Sequence, residues 1–142
     1  MEPFELLGAG GALIVALGVG TIAHELSHAL ALRALGVAFE IEWLPDRDAR
    51  GLRSTRGPWA TVTPRQVPQD LPPWRLRVAA LMPLTLALPL PLILVGVLPD
   101  PLAAGDPILA SATVGWLACA LPSPQDFSLV WHAGQAIQRY AA

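Results

Sequence analysis

Three residues within five positions, His24, Glu25 and His28, carry the most specific chemistry in this sequence. On an α-helix, residues four apart stand about 40° from one another around the axis, and the next residue along stands about 100° away. His24, Glu25 and His28 therefore share one face. Two imidazoles so placed can grip one Zn²⁺. The glutamate sits beside the metal rather than on it. It can accept a proton from zinc-bound water, whose pKa the metal lowers to about 7, and later return it to a leaving amine. The setting strengthens the signal. The residues from Leu6 to Ala23 carry no charge, and ionisable groups within such an apolar segment read as functional because they are costly there without partners. The plainer reading, a polar face at a helix end, does not account for the ligand spacing.

A catalytic zinc takes three protein ligands and keeps a fourth position for water. The candidates are Asp126 in Leu121-Pro122-Ser123-Pro124-Gln125-Asp126, His132 as the remaining histidine, and Asp106. The choice depends on the elements that position them.

The chain has 142 residues, 54% of them hydrophobic and 14% charged, against a usual charged share of about 25%. The apolar residues fall in long blocks, the pattern of membrane spans. Spans are expected over about 6–35, 78–98 and 102–121. Gly36 offers a stop for the first, and Pro83, Pro89 and Pro91 imply that the second is broken or bent. A polar loop, 37–77, joins the first two. In it Phe39, Ile41 and Trp43 alternate with Glu40 and Glu42, which reads as a strand. Pro45–Asp48, Gly51 and Gly57-Pro58 read as turns. A second strand is expected over Trp59–Thr63, ended by Pro64. The tail, 127–142, is expected to form an interfacial helix. The fold class is thus an all-α transmembrane bundle of about three spans with a small β-hairpin or sheet in one loop, a single integral-membrane domain over residues 1–142.

Charge sets the orientation. Arginines 47, 50, 53, 56, 65, 75 and 77 lie in or next to the loop and Arg139 lies in the tail, while the N-terminus and the 99–106 connection hold Glu2, Glu5, Asp100 and Asp106. The positive-inside rule places the loop and C-terminus in the cytoplasm of a multi-pass protein, with the cell membrane as the expected location. Asp106 then falls on the opposite side from Glu25, and Asp126 on the same side, so Asp126 is the expected third ligand. The net charge of −2 gives no footprint for nucleic acid. A lone cysteine, Cys119, excludes an intramolecular disulfide.

The segment His24-Glu25-Leu26-Ser27-His28-Ala29-Leu30 resembles the H-E-L-G-H signature of site-2-protease-type intramembrane metallopeptidases. Leu121-Pro122-Ser123-Pro124-Gln125-Asp126 resembles the Pro-rich motif from which a later span of that family supplies an aspartate. The loop with strand signals stands where the family carries a membrane-associated β-region. Ser27 replaces the family's glycine, Phe127 replaces the glycine after the aspartate, and the family's asparagine has no counterpart. Ser123 and Gln125 are nearest to the place of the oxyanion stabiliser that the asparagine would supply. The resemblance implies a zinc metalloendopeptidase that hydrolyses membrane-spanning protein substrates in the lipid bilayer, with Zn²⁺ on His24, His28 and Asp126 and Glu25 as the catalytic base. A homo-oligomer or a membrane partner would help three spans to enclose the site. The exposed edge of Phe39–Trp43 is expected to pair with unwound substrate. The rival readings are an inactive relative that regulates a membrane partner, and a membrane protein that binds metal for transport or sensing.

Overall fold

The computed structural model describes residues 2–43 and 60–140. In chain order the elements are α1 (Pro3–Ala34), β1 (Phe39–Trp43), β2 (Ala60–Pro64), α2 (Pro73–Leu81), a 3₁₀ segment (Met82–Ala87), α3 (Pro89–Leu94), α4 (Pro107–Cys119) and α5 (Pro124–Tyr140). The chain is mostly helical with one two-stranded antiparallel sheet. Two segments, Pro3–Ala34 and Pro73–Leu94, are long and apolar enough to cross a membrane. The third apolar block yields the 13-residue α4, about 20 Å long at 1.5 Å per residue, against a hydrocarbon core of about 30 Å. The chain divides into two compact units: Met1–His24 with Pro83–Pro122, and Glu25–Met82 with Ser123–Ala142.

In the first unit, prolines set the helix breaks. The second apolar block is interrupted as its prolines require. The run Met82–Ala87, with Pro83 inside it, is 3₁₀, and Pro89 and Pro91 fall in the first turn of α3, where backbone N–H groups have no intrahelical partner to lose. Gly96, at φ +75°, closes α3: its N–H bonds to the Ile93 carbonyl, and that of Val97 to Leu92, the paired bonds of a Schellman end. Asp106 caps α4 through Oδ1, which accepts from the N–H groups of Ile108 (2.9 Å) and Leu109 (3.2 Å).

Small residues let α1 and α4 approach closely. A Cβ added at Gly20 would lie 2.7 Å from Cys119 Sγ, and one at Gly115 would lie 3.0 Å from the Leu13 carbonyl oxygen. The outer face of α1 is apolar and uncovered, with Phe4, Leu7 and Ile14 exposed by 85%, 73% and 71%. Gly20→Ala is therefore expected to cost about 1–3 kcal/mol through overpacking. Gly18→Ala, where an added Cβ meets nothing within 4 Å, should leave stability unchanged or raise it. Thermal unfolding of both variants in detergent checks this; equal melting temperatures would contradict the packing.

The second unit begins inside α1 and ends that helix where the sequence expects. Gly36 adopts φ +69°, its N–H bonds to the Arg33 carbonyl, and that of Val37 bonds to Leu32. Leu32 and Val37 then enter a core with Val67, Leu71, Leu76, Ala79, Ala133 and Ile137, in which α2 packs on α5. β1 covers the residues expected of it. It pairs antiparallel with β2 in the register Phe39↔Pro64, Ile41↔Val62. β2 ends at Pro64 as expected, with the proline itself as its last residue, for a reason set by the ladder. The N–H of Arg65 bonds to the Ala38 carbonyl, and antiparallel pairs alternate between bonded and non-bonded. Pro64 thus occupies a non-bonded pair, where no donor is needed. The Arg65 guanidinium pairs with the Glu40 carboxylate across the sheet. Trp59, the turn residues Pro45–Asp48, Gly51, Gly57 and Pro58, and Arg47, Arg50, Arg53 and Arg56 lie outside the described residues.

Candidate metal centre

α1 runs unbroken through His24, Glu25 and His28, so helix pitch alone puts the two imidazoles on one face. Each ring is then fixed by a backbone carbonyl. His24 Nδ1 lies 2.7 Å from the carbonyl oxygen of Cys119, and His28 Nδ1 lies 2.9 Å from that of Ala79. A carbonyl can only accept, so in both rings Nδ1 carries the hydrogen and donates it. The lone pair of each neutral ring is left on Nε2, the arrangement in which histidine ligands are held ready for a metal.

Asp126 is placed by the start of α5. Ser123 precedes the helix and Pro124 opens it, the position where proline's fixed φ and missing donor are tolerated best. The Asp126 N–H donates to Ser123 Oγ at 3.2 Å, and the Ser123 N–H donates to Asp126 Oδ2 at 2.6 Å. This reciprocal pair is a capping box. It occupies one carboxylate oxygen and directs the other, Oδ1, to within 3.0 Å of His28 Nε2. Asp126 is thus both a capping residue and a member of the cluster. The ligand atoms of His24, His28 and Asp126 all lie within 4.8 Å of one another, and all three residues are buried.

The chemistry of this donor set favours a cation. His28 Nδ1 donates to Ala79, so its Nε2 presents a lone pair to an oxygen of Asp126 that also presents a lone pair. Two acceptors 3.0 Å apart repel unless a proton or a metal ion lies between them. Two imidazole nitrogens and one carboxylate oxygen, buried and oriented from outside, fit a divalent metal.

A cleft of about 420 Å³ opens on this cluster within the second unit. Glu25, His28 and Asp126 line it at one end. Leu32 of α1, Ala79 and Ala80 of α2, Val62, Thr63 and Pro64 of β2 and residues of α5 complete its walls. Glu25 therefore stands on the same cleft as two of the candidate ligands.

The other sequence candidates fall elsewhere. Asp106 is the cap of α4. His132 lines the cleft but is exposed and does not belong to the cluster; α5 is kinked at that residue, with φ −113° and ψ 24°. Ser123 and Gln125 both line the cleft, with the Ser123 hydroxyl already accepting the Asp126 amide. The expected tail helix starts earlier than residue 127, at Pro124, so Asp126 belongs to it rather than to the preceding apolar block. Two contributors have no counterpart among the sequence candidates, and Ser123, a candidate near the oxyanion position, has a capping role instead. The carbonyls of Cys119 and Ala79 are backbone groups with no signature in residue type. Ser123 did have one, because Ser-Pro-Gln-Asp is a serine followed three residues on by an acid. In comparisons with protein-family models, curated proteins and solved structures, nothing matches this chain.

Proposed function

We propose that the chain is an intramembrane zinc metalloendopeptidase, in which His24, His28 and Asp126 hold the zinc, Glu25 is the catalytic base and a membrane-spanning protein is the substrate. The observation that supports this most is the joining of an H-E-x-x-H helix to a distant, buried aspartate on one cleft, with both histidine rings fixed through Nδ1. When bound, zinc supplies a Lewis acid that makes hydroxide available at neutral pH and polarises a carbonyl. The chain's own groups do the rest. Glu25, facing the cleft, takes a proton on its carboxylate from water and returns it to the amine of the departing product. The Nδ1–H bonds to Cys119 and Ala79 keep both rings in one tautomer. The capping box keeps Asp126 from swinging away.

A transmembrane helix must unwind before its peptide carbonyls are accessible, because they are hydrogen-bonded within it. An extended segment then needs a partner for its backbone. The cleft is walled by β2, and none of the described side chains of β1 lines it, so the strand edge suited to pairing with substrate is that of β2 rather than Phe39–Trp43. By the alternation set at Arg65 and Ala38, the Val62 N–H points away from β1. Val62→Pro should therefore leave the sheet paired and remove an outward donor, lowering cleavage about tenfold while metal content stays at the wild-type level. Unchanged cleavage would remove β2 from substrate binding.

In this reading the chain is a multi-pass membrane protein, with α4 and its flanks as a third crossing and the arginine-rich loop and C-terminus in the cytoplasm. The uncovered apolar faces of α1 support a lipid environment, since soluble proteins rarely expose contiguous apolar surface of this kind. Incubating the zinc-loaded chain in detergent or vesicles with transmembrane test proteins tests the activity. Products cut within an apolar segment are expected. A loaded chain that cleaves none of them would favour a regulatory or metal-binding role.

A further inference from the structure

We propose that the far end of the cleft is a carboxylate-binding subsite built on Arg139, which selects substrates carrying an acidic group within about six residues of the bond to be cut. The proposal rests on the peptidase reading above and adds to it a class of substrate. α5 presents Ser128, His132, Gln135 and Arg139 to the cleft. Ser128 and His132 lie up to the kink and Gln135 and Arg139 beyond it, four residues apart in each pair, so each pair shares one side of its half of α5, and all four line the cleft. These polar groups, with Leu129 and Ala136 beside them, line the cleft between Asp126 and Arg139. Buried Ala133 and Ile137 hold the opposite side of α5 in the core. The Val67 N–H donates to the Tyr140 carbonyl at 2.8 Å, which fixes the backbone beside Arg139.

Charge defines the ligand. Among the described residues lining the cleft, the carboxylates are Glu25 and Asp126, both at the metal end, while Arg139 brings a guanidinium to the other end. Among the described residues Arg139 has no carboxylate partner, whereas Arg65 is paired with Glu40. A guanidinium on a cleft wall binds a planar anion through two parallel N–H groups. Asp126 and Arg139 are 13 residues apart, at most about 20 Å along the helix at 1.5 Å per residue. An extended peptide covers that distance in about six residues at 3.3 Å each. The intervening hydroxyl, imidazole and amide suit a peptide backbone rather than a lipid headgroup. The carboxylate has two sources, an Asp or Glu side chain or the C-terminus of a short product or peptide.

The test uses the full chain in detergent with matched substrates. Within each set, one carries Glu within six residues of the cut, one carries Gln there and one carries Lys; each is also made with a free and with an amidated C-terminus. The wild type should cleave the Glu substrates about tenfold faster than the Lys substrates, through KM rather than kcat. Arg139→Glu should reverse the order, and Arg139→Lys should keep it. A preference that follows amidation rather than the side chain assigns the subsite to a C-terminus and supports the proposal equally. No preference in the wild type, or a preference that survives Arg139→Glu, overturns it and leaves the peptidase reading intact. If no substrate is cut, the peptidase reading fails. Fluorescence anisotropy with the same labelled peptides then decides the subsite: tighter binding of acidic peptides, lost in Arg139→Glu, supports it, and equal binding overturns it. A response of Arg139→Glu to anionic vesicles but not to peptide charge also overturns it, in favour of a lipid contact.

Discussion

Glu25→Gln is expected to keep the wild-type zinc content and to lower peptide-bond hydrolysis by about 10²–10⁴-fold, the range removed with a general base. Glu25 follows His24 directly on α1 and faces the cleft shared with His28 and Asp126, while the cluster of ligand atoms comprises His24, His28 and Asp126. The amide of Gln keeps the size and polarity of the side chain but cannot take up a proton at neutral pH, so the change separates proton transfer from folding and from metal binding. Parallel assays of zinc by atomic absorption and of cleavage by product mass spectrometry check it. Loss of zinc together with activity would make Glu25 a ligand or an anchor of the cluster, and full activity would exclude it as the base.

His28→Ala should have the larger effect on metal, leaving the purified chain with less than about one-tenth of the wild-type zinc content. His28 does three things at once. Its Nε2 faces Asp126 Oδ1 at 3.0 Å, its Nδ1 ties the cluster to the Ala79 carbonyl of α2 at 2.9 Å, and its pitch from His24 brings two rings to one face. Its removal takes away a ligand and leaves a buried carboxylate without its neighbouring ring, which costs more than the lost contact itself. Asp126→Asn should show an intermediate loss, because an amide oxygen remains in place and the capping bonds to Ser123 can re-form. His132→Ala should leave zinc content unchanged. A chain that loses zinc on His132→Ala and keeps it on Asp126→Asn would move the third ligand along α5.

The sequence made some of this legible because the relevant signals were local. The H-E-x-x-H spacing is a property of one helix. Gly36 ends α1 because positive φ is easy for glycine, and Glu40 and Glu42 alternate with apolar residues in β1 as a half-buried strand requires. The proline-rich second block announced its own breaks. What was not legible depends on tertiary placement. Among the described side chains, those of β2 and not those of β1 line the cleft, and alternation alone cannot say which of two paired strands faces a site. Asp126 was drawn into consideration by its topology and neighbours, but its carboxylate is aimed by a capping box whose partner, Ser123, reads equally well as part of a proline-rich turn. The polar residues of α5 from Ser128 to Arg139 line the cleft once Ala133 and Ile137 fix which side of the helix is buried.

The peptidase account rests on a metal that the chain both binds and uses. The most direct measurement is cleavage of a transmembrane test protein by the purified chain reconstituted in lipid vesicles, before metal removal, after chelation, and after zinc is restored. The account predicts cuts within the apolar segment of the substrate, their loss on chelation and their return in proportion to the zinc taken up. Cleavage that continues in the metal-free chain would contradict it.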